Sequence, residues 1–249
     1  MGMKVTVVFE DNASMHEAAG VKAYPEGMGA YVAEFYRQNG HDVTLIINDK
    51  DSNGSALTDE IIDGTDVMVW WGHWYHNNIL DEVASKVVLA VNKGMGFVAL
   101  HSAHHCKPFK SLMGMGCHLS WREIGERERL WVIDDTHPVT RGLPQSFVIP
   151  HEEMYGEPFD IPKPDELFLL GWFQGGEVMR SGACWKRGRG KVIFFQPGHE
   201  TNPTFRIKEV QTVLLNAVDY VAPVKKITDY LSPHTPDVPE GDIKITDWE

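Results

Sequence analysis

An α/β fold organised around a parallel sheet is the expectation for this chain, on three observations. Short runs rich in β-branched and aromatic residues, Val5 to Phe9, Val43 to Ile47, Val67 to Trp71 and Phe97 to Leu100, are apolar without alternation, as strands covered on both faces are. Periodic stretches near Gly29 to Asn39, Ala56 to Asp63 and Leu80 to Lys93 lie between them, and strand–helix–strand alternation builds parallel sheets. The length, 249 residues of which 43% are hydrophobic, suffices for one α/β domain with a large core.

The elements follow in order. The chain passes from Met1-Gly2-Met3-Lys4 straight into the first strand at Val5. The first helical stretch closes at Asn39-Gly40 and the last of the three at Gly94, both ordinary helix stops. After residue 120 the pattern changes to strand-like pieces, Leu130 to Ile133, Leu167 to Trp172, Val178 to Trp185 and Val192 to Gln196, separated by Pro and Gly turns. These are expected to extend the same sheet in antiparallel fashion. A helix from about Phe205 to Val221 then closes a single domain over residues 1–222. From Pro223, four prolines (Pro223, Pro233, Pro236, Pro239) and an excess of acids mark residues 223–249 as a tail, since such a composition cannot build its own core.

Charge narrows the partners. Lys plus Arg number 23 against 35 Asp plus Glu, a formal charge of −12, which repels nucleic-acid backbones and anionic membrane surfaces alike. Small molecules and other proteins remain. Cys106, Cys117 and Cys184 are odd in number and show no CxxC spacing, so a disulfide framework is not expected and a reducing compartment is. With no signal-peptide apolar region and no run near the ~18 apolar residues of a membrane span, a cytoplasmic protein is the expectation.

Ligands of open parallel sheets bind beyond the carboxyl ends of the strands, so the residues that follow each strand are the informative ones. After the first strand come Glu10, Asp11 and His16; after the third, Gly72-His73-Trp74-Tyr75-His76; after the fourth, His101-Ser102-Ala103-His104-His105-Cys106; after the last, Pro197-Gly198-His199-Glu200. Seven of the 12 histidines (His16, His73, His76, His101, His104, His105, His199) therefore fall on one rim. Imidazole titrates near neutrality and is the commonest metal ligand. The convergence points to acid–base chemistry, a bound divalent cation with zinc first among the candidates, or both.

Other chemistries find less support. His16-Glu17, His151-Glu152 and His199-Glu200 each begin like HExxH, but Gly20, Tyr155 and Pro203 occupy the place of the second histidine. The segment around Ser102 turns like a nucleophile elbow without its glycines. Gly114-Met115-Gly116 and Gly188-Arg189-Gly190 lack the third glycine of a dinucleotide loop, so neither nucleotide nor flavin is expected. His151-Glu152-Glu153-Met154-Tyr155, after Pro150, offers an acid–base pair or a ligand contact, or is an exposed acidic turn. Eight tryptophans, with Trp70, Trp71 and Trp74 around His73, supply ring faces suited to a sugar or to a core.

Seven segments, in order, give the chain a family resemblance: Trp70-Trp71-Gly72-His73, Gly96 to His104, Leu112-Met113-Gly114, Trp121-Arg122-Glu123, Thr136-His137-Pro138-Val139-Thr140, His151 to Tyr155, and Gly188 to Val192 leading to Pro197-Gly198-His199-Glu200. The chain resembles the trehalose-utilisation, or ThuA-like, family, a branch of the class I glutamine amidotransferase-like superfamily. The resemblance implies a flavodoxin-like three-layer sandwich with a mostly parallel central sheet. In true amidotransferases the elbow holds a nucleophilic cysteine paired with histidine and glutamate; here His101 stands at that place and His199-Glu200 near the partner pair, so glutamine hydrolysis is not expected.

The resemblance further implies sugar catabolism in company with oxidoreductases that make 3-keto disaccharides. A ketone at C3 acidifies the C2 proton, so a base can remove it and the C1 substituent can leave by elimination. On that reading His101 or His104 is the base, and Glu152 or Glu200 handles the leaving-group proton. His73, His101 and His199 are candidate metal ligands, and His16, Trp74, Ser102, His151 and Tyr155 candidate substrate contacts. A non-catalytic sugar-binding or regulatory module, and a zinc that is purely structural at a subunit contact, are the alternatives. A homo-oligomer is expected in each case.

Overall fold

The computed structural model describes residues 2–228 and 234. Nine strands form one sheet: β1 (Lys4–Glu10), β2 (Asp42–Asn48), β3 (Val67–Trp71), β4 (Gly96–Leu100), β5 (Ser120–Val132), β6 (Ser146–Gly156), β7 (Glu166–Phe173), β8 (Val178–Arg187) and β9 (Gly190–Phe195), in the order β2-β1-β3-β4-β9-β8-β7-β5-β6. Six α-helices accompany them: α1 (Ala18–Ala23), α2 (Met28–Gln38), α3 (Asp59–Gly64), α4 (Asp81–Lys93), α5 (Lys107–Met113) and α6 (Lys208–Val221).

The central strands feed two cores by strict alternation, because successive side chains point to opposite faces. On one face Val5, Val7, Phe9, Val67, Val69, Trp71, Val98 and Leu100 pack with α2 and α6. On the other, Val8, Met68, Trp70, Phe97 and Ala99 pack with α3, α4 and α5. This is why the four early runs read as unbroken apolar sequence, and it yields the expected three layers.

The sheet is mixed, and the expectation of a mostly parallel one is corrected. The β2-β1-β3-β4-β9 ladders are parallel, but those joining β9, β8, β7, β5 and β6 are antiparallel. The antiparallel half also holds the long strands, of 13, 11 and 10 residues for β5, β6 and β8 against 5 to 7 in β1 to β4. Tight connections such as the one at Gly188-Arg189 suit antiparallel neighbours, whereas a parallel pair needs a crossover of a dozen residues or more. Two stretches read otherwise in the sequence belong here: Leu130 to Ile133 overlaps only the end of β5, and His151 to Tyr155 is strand, not turn.

The helix expected near Phe205 to Val221 is α6 (Lys208–Val221). Of the tail, residues 223–228 run against the amino ends of the central strands, with Ile227 N–H donating to Lys93 O at 3.0 Å and Lys226 Nζ 3.1 Å from Asp66. The rest of the 223–249 segment, apart from His234, lies outside the described residues. Among the described residues, no helix is long and apolar enough to cross a membrane.

Candidate functional site

Parallel strands aim their carboxyl ends the same way, so β1, β3, β4 and β9 deliver their following loops to one rim. Each loop is held by a buried group behind it. The Glu10 carboxylate, 5% exposed, accepts the backbone N–H groups of His73 (3.1 Å), Trp74 (2.7 Å) and Tyr75 (2.8 Å), which fixes the loop after β3. Glu152 does the same for the loop after β9, accepting from Gly198 N (2.9 Å), His199 N (3.1 Å), Thr204 Oγ1 (2.8 Å) and Glu153 N (3.0 Å). Trp71 adds a hydrogen bond from Nε1 to Gly198 O at 2.9 Å. Gly198 has φ +136°, and a Cβ there would stand 2.5 Å from the Phe205 ring, so no other residue fits this turn.

His101 follows β4 directly and opens a 3-10 turn, with φ +52°. A histidine held in the left-handed region is uncommon and marks an over-determined backbone. Its ring is fully buried, and Nδ1–H donates to Gln196 O at 2.9 Å.

Three imidazoles meet at this rim. The ring centroids of His73, His101 and His199 lie 5.8, 5.6 and 5.4 Å apart, with interplanar angles of 85°, 85° and 81°, close to perpendicular. Every Nδ1 is engaged from outside: His73 by the Glu200 carboxylate (2.9 and 3.0 Å), His101 by Gln196 O, and His199 by Thr201 Oγ1 (2.9 Å). Glu153 enters from β6, 3% exposed, with Oε2 3.0 Å from His101 Nε2 but out of hydrogen-bond alignment and otherwise unpartnered. Among the described residues, His73, Glu153 and His199 are the one group whose ligand atoms all lie within 4.8 Å of one another.

The electrostatics separate the ionisable groups. Burial opposes ionisation of Glu200, but the hydrogen bond and charge of His73, the charge of His199 and the Ser14 hydroxyl outweigh it and hold the carboxyl far below its ordinary value. Burial likewise works against charge on Glu153 and His101, and their mutual contact wins in both, lowering the glutamate and raising the histidine. His104 goes the other way: burial and then His105 keep it neutral, with Nδ1–H donating to Cys117 O at 2.8 Å.

The sign for Glu200 fixes a prediction. A carboxyl whose folded pKa lies below its unfolded value contributes stability that is full above the unfolded value, 4.5, and is lost as pH falls through the folded one. Wild-type protein is therefore expected to lose stability on acidification below about pH 4.5, and Glu200→Gln to show a shallower acid limb in urea titrations at stepped pH. An identical slope in both proteins would contradict this assignment.

A cleft of about 410 Å3 opens over the centre, lined by His73, Glu153, Ser102, Tyr155, Trp74 and Trp121 among others. The volume is within the range of small-molecule sites. Tyr155 stacks on His101 (4.7 Å, 9°) and shares a hydrogen bond with Ser102 Oγ at 2.5 Å. Its hydroxyl is 3.4 Å from His101 Nε2.

Of the residues singled out from sequence, His73, Trp74, Ser102, His104 and Tyr155 line this cleft and His101 and His199 stand at its inner end. Four are placed differently. His16 is exposed, paired with Asp11 at 2.8 Å, and opens onto a separate cavity. His151 is exposed on β6 with Nδ1–H on Gly125 O at 3.1 Å. Glu152 has both oxygens saturated by the four donors above, and Glu200 stands behind His73. The group of converging ligand atoms that could hold a cation contains Glu153 in the place where His101 was expected.

Glu153, Glu10, Trp121, His76, His105 and His118 were not assigned roles from sequence. The usable signal was period-two alternation along β6, which puts Glu153 and Tyr155 on one face. Pro150 and the run of polar residues behind it hid the strand.

A family model described as trehalose utilisation, ThuA, matches residues 4–221. No curated protein matches the sequence. Solved structures do. A protein described as ThuA-like from Parabacteroides merdae ATCC 43184 superposes with TM-score 0.66 at 14% identity, over 93% of this chain and 93% of that one. Another described as ThuA-like, from Bacteroides uniformis ATCC 8492, gives 0.61 at 19% identity, over 88% and 91%. The cytoplasmic protein STM3548 from Salmonella typhimurium gives 0.60 at 13%, over 89% and 100%. At these identities the likeness is one of fold.

Proposed function

Given that the chain belongs to the ThuA trehalose-utilisation family, we propose that it is a sugar-directed enzyme, acting on a 3-keto disaccharide or a related sugar by histidine-based elimination. The observation that carries the reading is the convergence of the buried Glu153 carboxylate, its Oε2 3.0 Å from His101 Nε2, with three outward-anchored imidazoles.

His73, His199 and Glu153 have the donor types of a catalytic zinc site, with Glu200 and Thr201 as the outer partners that orient such ligands. A divalent cation there would polarise the substrate carbonyl and stabilise the enolate. His101, its Nδ1–H fixed by Gln196 O, presents Nε2 as the base for the C2 proton. The C2–H electron pair forms the C1=C2 bond, the C1–O bond breaks, and the departing oxygen takes a proton. The imidazolium just formed at His101 returns it. Glu152 cannot, being saturated by four donors, and Glu200 is held ionised behind His73.

Glu153 raises the proton affinity of His101, so a cation on Glu153 frees His101 to act as a base. A cytoplasmic setting belongs to the same proposal, supported by three unpaired buried cysteines and by the similar Salmonella protein described as cytoplasmic. The test is turnover of 3-keto-trehalose by zinc-supplemented wild type and by the variants taken up in the Discussion; no product from wild type would refute the enzymatic reading.

A further inference from the structure

Behind the Nδ1 edge of His101 stands a buried carboxyl group that the elimination does not use. Glu128, on β5, is fully buried. It is faced by the Ser181 hydroxyl of β8, which donates to Oε1 at 3.2 Å, by the side-chain amide of Gln196 just past the end of β9, and by the charge of Glu152 on β6. None of these is a cation. A Cβ at Gly171 on β7 would collide with Glu128 Oε1 and Ser181 Oγ, so β7 carries a glycine where the carboxyl group approaches its backbone.

The hydrogen bonding around this carboxyl group locates a proton. One end of the Gln196 amide stands 2.8 and 3.0 Å from the two Glu128 oxygens, and the other stands 3.3 Å from Glu153 O. With its nitrogen toward Glu128, the amide would set its oxygen against the Glu153 carbonyl oxygen, acceptor against acceptor. With its oxygen toward Glu128, the nitrogen donates to Glu153 O, and a proton on the carboxyl group bridges to the amide oxygen. The second arrangement gives every one of these buried groups a partner, as buried polar atoms require. Burial and then the charge of Glu152 act in the same direction, pushing the carboxyl group well above its ordinary value against the opposing Ser181 hydroxyl.

Gln196 is the link to the site. Its main-chain oxygen accepts His101 Nδ1–H at 2.9 Å, its N–H donates to Ser181 O at 2.9 Å, and its amide holds the Glu153 carbonyl. We infer that Glu128, as a neutral acid donating to Gln196, is a positioning residue for His101: it fixes the residue that orients the imidazole and that joins the end of β9 to the strand carrying Glu153. The role of His101 as a base rests on the function proposed above; the carboxylic acid and its hold on the ring do not.

Infrared difference spectra of wild type against Glu128→Gln at neutral pH, in H2O and in D2O, read the proton directly. A carboxylic-acid carbonyl band that shifts in D2O and is missing from the variant is the expected result, and its absence from wild type overturns the proposal. Glu128→Met removes the donor at similar volume. It is expected to displace or abolish the His101 Nδ1–H proton resonance, identified by its absence from His101→Asn, and to lower kcat for 3-keto-trehalose about 10- to 100-fold with KM within about twofold. Glu128→Gln keeps a donor for Gln196 and is expected to keep both the resonance and kcat. A methionine variant indistinguishable from wild type in both, or equal losses in the two variants, overturns the positioning role. Gln196→Met keeps the main-chain oxygen and removes the amide; it is expected to behave like Glu128→Met and decides the matter if that protein does not fold. If wild type does not turn over 3-keto-trehalose, the enzymatic reading fails by itself, and the infrared band and the His101 resonance still decide for or against Glu128.

Discussion

Replacing His199 by alanine is expected to lower affinity for zinc at least about 100-fold and to leave the purified protein without the near-stoichiometric divalent metal expected of wild type. Outer partners alone are worth about 10- to 100-fold in metal affinity, and a direct ligand more. Three protein ligands plus an open position is the usual composition of a catalytic zinc site, and His73, Glu153 and His199 supply three. The variant retains the loop, because Glu152 holds its backbone amides and Trp71 its Gly198 carbonyl; a loss of metal is then a loss of a ligand and not of the fold. Plasma mass spectrometry on tag-free protein purified without added metal, followed by zinc calorimetry, reads the effect. Binding is also expected to release protons and to tighten as pH rises. Protonated His101 and a cation compete for Glu153, and the raised proton affinity of His101 makes the proton the stronger competitor at low pH. A wild type that neither carries nor takes up a divalent ion would discard the metal and leave the His101–Glu153 pair to act alone.

His101→Ala is expected to reduce turnover of 3-keto-trehalose by about 10²- to 10⁴-fold, the usual contribution of a positioned general base. Metal content should be unchanged, because His101 lies outside the group formed by His73, Glu153 and His199. Alanine is itself unfavourable at φ +52°, so His101→Asn is the companion variant; asparagine tolerates the left-handed region and keeps the turn. Both variants falling together, with metal retained, assigns the loss to the missing base. Turnover near the wild-type rate in either would remove His101 from the reaction and return the assignment to His104, the other imidazole on the cleft that approaches Tyr155.

The amino-acid sequence by itself determined the core and the rim. Strands buried on both faces have no polar positions to interrupt them, so Val5 to Phe9, Val67 to Trp71 and Phe97 to Leu100 announce themselves. Parallel strands send their following residues to one edge, so His73, His101 and His199 could be brought together without coordinates. Tertiary structure alone decided which neighbours join them. β5 and β6 carry register shifts between Arg122 and Glu126 and between Glu126 and Glu128, and the second, where two residues of β5 face three of β6 (Glu152 to Ile149), changes the face on which the following side chains of β6 stand. That is why Glu153, and not its neighbour Glu152, enters the site, while Glu152 turns behind it to bind the β9 loop. The placements of His16, His151, His76, His105 and His118 follow from which segments pack over the rim, a matter of contacts far apart in the chain that no local pattern encodes.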